Sequence, residues 1–169
     1  MAPSPLYLKL LSLTKAHALP EDASQIISIR SPDARHGWGH NFLVARNRGL
    51  QDYMDNDAFA THMQRSGIYL DFSDAKIHDL VVDEHERKSS TRMSYSLTPK
   101  GSKETVEHDL IWMLKFTEDE EVEKVLIKES VEFIDAAAGA RMGTLIREHG
   151  GELDDDMTGS IVLKERLET

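Results

Sequence analysis

The order of periodic patterns along the chain is the feature that most constrains its fold. Near the start, Leu6, Leu10 and Leu13 recur at the three- and four-residue spacing of one helix face. Three long runs of alternating apolar and polar residues follow at 88–98, 104–116 and 122–134, with turn-forming segments between them. Asp135 then suits the start of a last helix at 136–149. Helices, then antiparallel strands, then one helix indicate an α+β fold.

The segments between these patterns are less regular. Pro20 ends the first helix, and Asp22 is placed to cap a second helix that carries Ile26. Residues 35–48 show no periodicity and predict an irregular segment. A helical pattern at 49–63 follows, and the stretches at 68–72 and 77–82 predict two short strands.

The composition is that of an ordinary globular chain of about one domain. Of its 169 residues, 40% are hydrophobic and 30% are charged. The net charge of −10 repels phosphate backbones, so we expect no nucleic-acid partner. The absence of cysteine excludes disulfides, thiolate metal ligands and a cysteine nucleophile. The apolar stretch at 6–13 is too short to span a bilayer, so we expect a cytoplasmic protein with no membrane partner.

Four short motifs resemble the SnoaL-like branch of the NTF2-like superfamily. They are SPDARH at 31–36, HDLVVDE at 78–84, LKFTED at 114–119 and VEFID at 131–135. The likeness extends over roughly residues 5–149 and is greatest to fungal secondary-metabolite isomerases and cyclases, including those that rearrange meroterpenoids. It implies a cone of N-terminal helices packed on a strongly curved, mostly antiparallel sheet, with a C-terminal helix. Such a cone encloses a cavity suited to a small molecule.

The chain departs from the family pattern at two places. It carries HGWGH at 36–40 where an ordinary loop is expected, and it ends in an acidic extension. We therefore divide it into a SnoaL-like domain at 1–151 and a C-terminal extension at 152–169. We also expect a homodimer formed through the exposed face of the sheet, because that face is too apolar to remain entirely in contact with water.

Glu132 is the first candidate for chemistry. Alternation along the last strand places it on one face with Ser130 and Ile134. The resemblance implies that an acidic residue at this position points into the cavity. A desolvated carboxyl there has a raised pKa, which suits proton transfer near neutral pH. The alternative is an exposed carboxylate, or one paired with a lysine such as Lys128.

The preceding strand carries a second set of candidates. Alternation separates His108 and Trp112 on one face from Asp109 on the other. Lys115 on the Asp109 face predicts that the face of His108 and Trp112 lines the cavity, although a bulge would reverse this choice. We therefore name His108 and Asp109 as catalytic candidates and Trp112 as a cavity wall.

Histidines at 36 and 40 surround a tryptophan in the most unusual local sequence. We predict His36 as a general acid or base at the mouth of the cone, and His40 and Trp38 as residues that bind the substrate. A metal site is not expected, because the glycines disfavour a helix that would align the two imidazoles, and no third ligand is near in sequence.

Two further side chains are candidates for binding substrate oxygen. Arg92 lies on a serine-rich face of its strand, which is either solvated or turned inward to bind a carbonyl or enolate oxygen. Tyr53 offers a hydroxyl donor, although such a residue is commonly a core aromatic with a wet edge.

These residues favour chemistry that moves protons. The sequence has no phosphate-binding loop, nucleophile elbow, zinc motif or dinucleotide fingerprint, so we expect no cofactor. We interpret the chain as a cofactor-free isomerase or cyclase that acts on a hydrophobic polycyclic polyketide, terpenoid or alkaloid intermediate, with His36 or His108 as the proton partner of Glu132. The alternatives are a dehydratase or epoxide hydrolase using the same cavity, and a non-catalytic ligand-binding module.

Overall fold

A computed structural model describes residues 2–46 and 50–152 of the chain. The helices are α1 (Pro5–Ala18), α2 (Ala23–Ser28), α3 (Asn41–Arg46), α4 (Asn56–Tyr69) and α5 (Ala136–Glu148). The strands are β1 (Arg30–Trp38), β2 (Leu70–Asp83), β3 (Lys88–Pro99), β4 (Val106–Phe116) and β5 (Ile127–Ile134). The predicted α+β class is confirmed. Asp22 and Asp135 cap α2 and α5, as their side chains predict.

The five strands form one sheet in the order β1-β5-β4-β3-β2. Neighbouring strands are antiparallel except for β1 and β5, which are parallel. Strand β5, the last in sequence, is therefore an interior strand, with β1 on one side and β4 on the other. Side chains on β5 have neighbours on both sides, which shields their inner face from water.

Helices cover one face of this sheet. Leu10 and Leu13 of α1 pack against Leu114, Val125 and Ile127, and all five are buried. At the other end of the sheet, α5 packs Met142 and Leu145 onto Leu97 and Val106. Burial of apolar area contributes roughly 25 cal/mol per Å², so these contacts hold the helices on the sheet.

The predicted irregular segment at 35–48 is wrong for most of its length. Residues up to Trp38 belong to β1, and α3 begins at Asn41. His36 and Trp38 do alternate towards the inside, but the glycines on both sides of Trp38 and the charged Arg35 before His36 conceal the period of two. The motif at 31–36 is likewise part of the first strand and does not precede it.

The predicted pair of short strands at 68–72 and 77–82 is one long strand, β2. Its register on β3 shifts between Phe72 and Asp74 and again between Ile77 and Asp79. At each shift the side chains that face inward change from odd to even positions or back, so β2 has no continuous two-residue pattern of apolar residues. The last strand is shorter than predicted, because Val122–Lys124 form a 3-10 turn and β5 begins at Ile127.

The outer face of the sheet carries exposed apolar side chains, among them Val81, Ile111 and Met113. Dimerisation through this face stays a prediction. Within the described residues, no helix is both long enough and apolar enough to cross a membrane. Of the predicted extension at 152–169, all but Glu152 lies outside the described residues.

Gly39 provides a test of the junction between β1 and β5. A Cβ atom at Gly39 would overlap the ring of Phe133, and the Gly39 N–H donates to the Glu132 carbonyl at 2.7 Å. We expect Gly39→Ala to lower the free energy of unfolding by about 1–3 kcal/mol, as measured by chemical denaturation. Gly67→Ala is the control. Gly67 lies in α4 with open space around it, so the free energy of unfolding of this variant should stay unchanged or rise by up to about 1 kcal/mol. Equal stabilities for the two variants would contradict this packing.

Candidate active site

A cavity of about 530 Å³ lies between the inner face of the sheet and the covering helices. All five strands and the helices α1, α2, α4 and α5 contribute to its wall, which is mostly apolar. The strands add polar atoms through Trp38, Tyr95, His108, Trp112 and Glu132. An apolar cavity with a few converging polar groups is the usual form of a small-molecule site.

Glu132 lies on this inner face, on the interior strand β5. Across the sheet its backbone partners are Trp38 on β1 and Trp112 on β4, so an indole flanks the carboxyl on each side. The Glu132 side chain is 12% exposed and makes no contact with a lysine or arginine in the described part of the chain. Burial raises the pKa of Glu132 to about 8. The carboxyl therefore carries its proton at neutral pH, and its predicted inward direction is confirmed.

His36 lies close to this carboxyl. Its Nε2 is 3.9 Å from Glu132 Oε2, and its side chain is fully buried. The imidazole stacks on Phe59, with ring centroids 4.5 Å apart. Burial is the main cause that holds the pKa of His36 well below its ordinary value, and its neighbours His17, His62 and Arg30 lower that pKa further. His36 is thus a neutral imidazole behind the cavity wall, and the prediction that it lies at the mouth of the cone is wrong.

A buried chain of hydrogen bonds lies on the other side of His36. Ser130 Oγ is 3.0 Å from His36 Nδ1, and Arg30 Nη1 donates to the same oxygen at 2.9 Å. Arg30 Nε also donates to Asn56 Oδ1 at 2.8 Å. No local sequence pattern marks Arg30 as functional. The long range of its contact with Ser130 explains this, since the two residues are 100 positions apart.

His17 is a second buried histidine, and it is absent from the residues predicted to form the site. It meets Trp112 edge to face at 4.6 Å, and neither of its ring nitrogens has a hydrogen-bond partner among the described residues. Burial, aided by Arg30, lowers the pKa of His17 to about 3. Its spacing could have indicated burial, because His17 follows Thr14 by three positions and so lies on the buried face of α1.

Tyr95 is another member of the inner face. Its hydroxyl donates to the Ala18 carbonyl at 2.9 Å, and burial, together with the charge of ionised Glu132, raises its pKa. The phenol therefore keeps its proton, which is already used in a hydrogen bond. Trp112 lies near this hydroxyl without a well-formed hydrogen bond to it.

Three polar nitrogens of the wall lack a partner within the described part of the protein. Trp38 Nε1, Trp112 Nε1 and His108 Nε2 are buried and have no hydrogen-bond partner in the described part of the chain. Burial lowers the pKa of His108, against the opposing effects of Asp135 and Asp109. The predicted placement of His108 and Trp112 on the cavity face is confirmed.

Arg92 and Asp109 lie outside the cavity. The Arg92 guanidinium donates to Asp109 Oδ2 at 2.6 and 3.1 Å on the opposite face of the sheet. This hydrogen-bonded pair lowers the pKa of Asp109 and raises that of Arg92. Placing Arg92 inside the cone, and using Asp109 as a catalytic group there, is therefore wrong. The inner positions of β3 belong to Met93 and Tyr95, whose apolar area is buried instead.

Tyr53 and His40 are also outside the cavity. Tyr53 is exposed, with its ring over Gly37 and beside the Arg35 guanidinium at 5.1 Å. His40 is exposed just after β1, in a left-handed conformation with φ of 60°, and its ring contacts Phe133. Strand β1 ends before His40, so alternation does not turn that side chain inward. Among the described residues no group of three or more His, Asp or Glu side chains is arranged to hold a metal.

The raised pKa of Glu132 makes stability depend on pH. In the unfolded chain this carboxyl ionises near its ordinary value of 4.5, and in the folded protein near 8. Between these values the folded state binds more protons, so stability falls as pH rises through the window. We expect Glu132→Gln to gain stability over the wild type by about 1 kcal/mol per pH unit within that window, and by a constant amount above it.

The measurement is the free energy of unfolding of both proteins across this range of pH. Glu123→Gln serves as the control, because the Glu123 side chain is 93% exposed, and its difference from the wild type should stay nearly constant. A pH-independent difference for Glu132→Gln would show that the carboxyl is not held protonated.

Comparison with solved structures relates this arrangement to known proteins. PrhC from Penicillium brasilianum aligns with a TM-score of 0.67 and 15% identity, covering 92% of this chain and 95% of PrhC. BvnE pinacolase from Penicillium brevicompactum aligns with a TM-score of 0.68 and 15% identity, covering 85% of this chain and 97% of BvnE. An NTF2-like protein from Burkholderia xenovorans aligns with a TM-score of 0.57 and 13% identity, covering 83% and 97%.

Neither a protein-family model nor a curated protein matches the sequence. At the identities of the solved structures, the similarity establishes the fold and leaves the activity open. The motifs at 78–84, 114–119 and 131–135 predict this fold. The observed sheet order and these alignments agree with that prediction. The chain therefore has the NTF2-like fold that its sequence motifs predict.

Proposed function

We propose that the protein is a cofactor-independent isomerase or cyclase that acts by acid–base catalysis on an apolar polycyclic intermediate of secondary metabolism. One observation carries the proposal: a carboxyl whose burial raises its pKa to about 8 faces an open apolar cavity between two indoles. A group with this pKa can donate a proton and take one back near neutral pH.

Glu132 is the proposed general acid. It donates its proton to a substrate atom, such as a carbonyl oxygen, and becomes a carboxylate. A C–H bond elsewhere in the substrate then breaks, its electron pair forms the new bond, and its proton returns to the carboxylate. The sum is an isomerisation or a ring closure, in which atoms balance and no oxidant or reductant is consumed.

The surrounding residues have supporting roles in this proposal. Trp38 and Trp112 form apolar walls on both sides of the acid, and their free N–H groups can hold a substrate oxygen. His108 offers a further ring nitrogen in the same cavity. His36, 3.9 Å from Glu132, is the group placed to stabilise the carboxylate that forms during the reaction.

The substrate class follows from the wall and the volume. A cavity of about 530 Å³ with few polar groups suits a compact, mostly apolar molecule with one or two oxygen atoms near the acid. The shared fold of BvnE, which is described as a pinacolase, supports a rearrangement of this kind. A non-catalytic module is less well supported, because side chains leave the cavity open and a carboxyl with a raised pKa lines it.

Incorporation of solvent deuterium tests the proposal. A panel of polycyclic ketones is first screened for binding to the protein. Tryptophan fluorescence can report binding, since the two tryptophans of the chain both line the cavity. In deuterated water, the bound compounds should gain deuterium next to the carbonyl, as measured by mass spectrometry. Glu132→Gln should slow this exchange by roughly 10²–10⁴-fold, because it removes the proton carrier and keeps the shape.

Glu129→Gln is the matched control on the same strand. The Glu129 carboxylate accepts a hydrogen bond from Lys115 Nζ at 2.9 Å on the outer face of the sheet. Deuterium exchange in this variant should therefore proceed at the wild-type rate. Full activity in Glu132→Gln would remove this carboxyl from the mechanism. Product mass separates the alternatives, because a dehydratase removes one water from the substrate and an epoxide hydrolase adds one.

The pH dependence of exchange tests which form of Glu132 starts the reaction. The protonated form predominates below a pKa of about 8, so the rate should fall above this pH, by about tenfold per unit. The rate of deuterium gain across the pH range measures this directly. A rate that rises through pH 8 would show that the carboxylate starts the reaction as a base.

A further inference from the structure

The hydrogen bonds behind Glu132 restrict where protons can lie. A guanidinium has donors only, so the contact from Arg30 Nη1 makes Ser130 Oγ an acceptor. Asn56 fixes the arginine from its other side, since it accepts from Arg30 Nε at 2.8 Å and donates to the Ser31 carbonyl at 2.9 Å. The direction of the first bond in the chain is therefore set.

The Ser130 hydroxyl still has one hydrogen to place. Ser130 is fully buried, and His36 Nδ1, at 3.0 Å, is its only other hydrogen-bond partner among the described residues. If His36 Nδ1 carried a proton and donated it to Ser130, the hydroxyl hydrogen would have no acceptor. A buried donor without an acceptor costs free energy, so the hydroxyl donates to His36 Nδ1.

We infer that Arg30 and Ser130 are positioning residues that hold His36 in the tautomer protonated at Nε2. In this tautomer the neutral ring directs an N–H towards the side of Glu132, 3.9 Å away, and no described residue accepts a hydrogen bond from it. His36 then supplies a hydrogen bond to the developing carboxylate or to a substrate oxygen, without giving up a proton. The tautomer stands on the geometry alone, whereas this use of it rests on the proposed function.

The groups around His36 favour a neutral ring. His17 lies on α1, His62 on α4 and Arg30 on β1, and a positive charge on any of them opposes protonation of His36. The one acidic neighbour in the described part of the chain, Glu132 on β5, is itself kept neutral by burial. The ring therefore has an acceptor at Nδ1 and a donor at Nε2, with no imidazolium state near neutral pH.

Histidine ¹⁵N NMR of the ligand-free protein tests the tautomer without any substrate. Long-range correlations from the ring hydrogens distinguish a protonated nitrogen from an unprotonated one, and the signals missing in His36→Gln assign His36. We expect Nε2 of His36 to be protonated and Nδ1 to be unprotonated at neutral pH. A protonated Nδ1, or a doubly protonated ring, would overturn the inference.

Two variants of Ser130 test its part in holding the tautomer. Ser130→Ala removes the hydroxyl and should shift His36 towards a mixture of both tautomers. Ser130→Thr keeps the hydroxyl and should preserve the wild-type signals. A His36 spectrum in Ser130→Ala identical to that of the wild type would show that the hydroxyl does not set the tautomer.

The deuterium-exchange assay tests the use of the N–H group. His36→Gln can place an amide donor near the position of Nε2 and should keep most of the exchange rate, whereas His36→Asn places it nearer Nδ1 and should lose roughly 10²-fold. Equal losses would overturn this role of the N–H. If NMR finds the expected tautomer but the wild type exchanges no compound that it binds, the proposed function fails and the tautomer assignment stands.

Discussion

The parallel pairing of β1 with β5 is the constraint on which the site depends. It makes the last strand in sequence an interior strand, so Glu132 has Trp38 on one side and Trp112 on the other. Without β1, the carboxyl would lie at a sheet edge and would be solvated on one side. The same pairing sets Ser130 opposite His36, which brings the histidine to the carboxyl. Burial of the acid and its contact with His36 thus have one structural origin.

Two carboxyl groups on neighbouring strands show how this environment selects a protonation state. Asp109 on β4 points outward, where its hydrogen bonds with Arg92 lower its pKa. Glu132 on β5 points inward, where burial without a cationic partner raises its pKa to about 8. The arginine that does lie inside, Arg30, is bonded to Ser130 and Asn56 and does not contact the acid. The carboxyl on the inner face is therefore protonated, and the carboxylate on the outer face is paired with an arginine.

Local pattern predicts the parts of this site that lie on regular strands. Clear alternation along β4 and β5 places His108, Trp112 and Glu132 on one face, and the structure agrees. The misplaced residues fall where that signal fails. On β3 both faces carry polar side chains, so alternation alone leaves the direction of Arg92 undecided. For His40, the strand ends two residues earlier than a continued alternation would require.

The position of His36 needed information that a local pattern does not contain. In sequence it is flanked by Arg35 and Gly37, whereas its neighbours in space come from α1, α4 and β5. The contact between Arg30 and Ser130 joins parallel strands that are far apart in sequence, and nothing in either strand indicates the other. Long-range pairing buries both polar side chains, and a buried polar side chain must find a partner. The proton arrangement at the site is therefore a property of the folded sheet, although each residue that carries it is ordinary in its own strand.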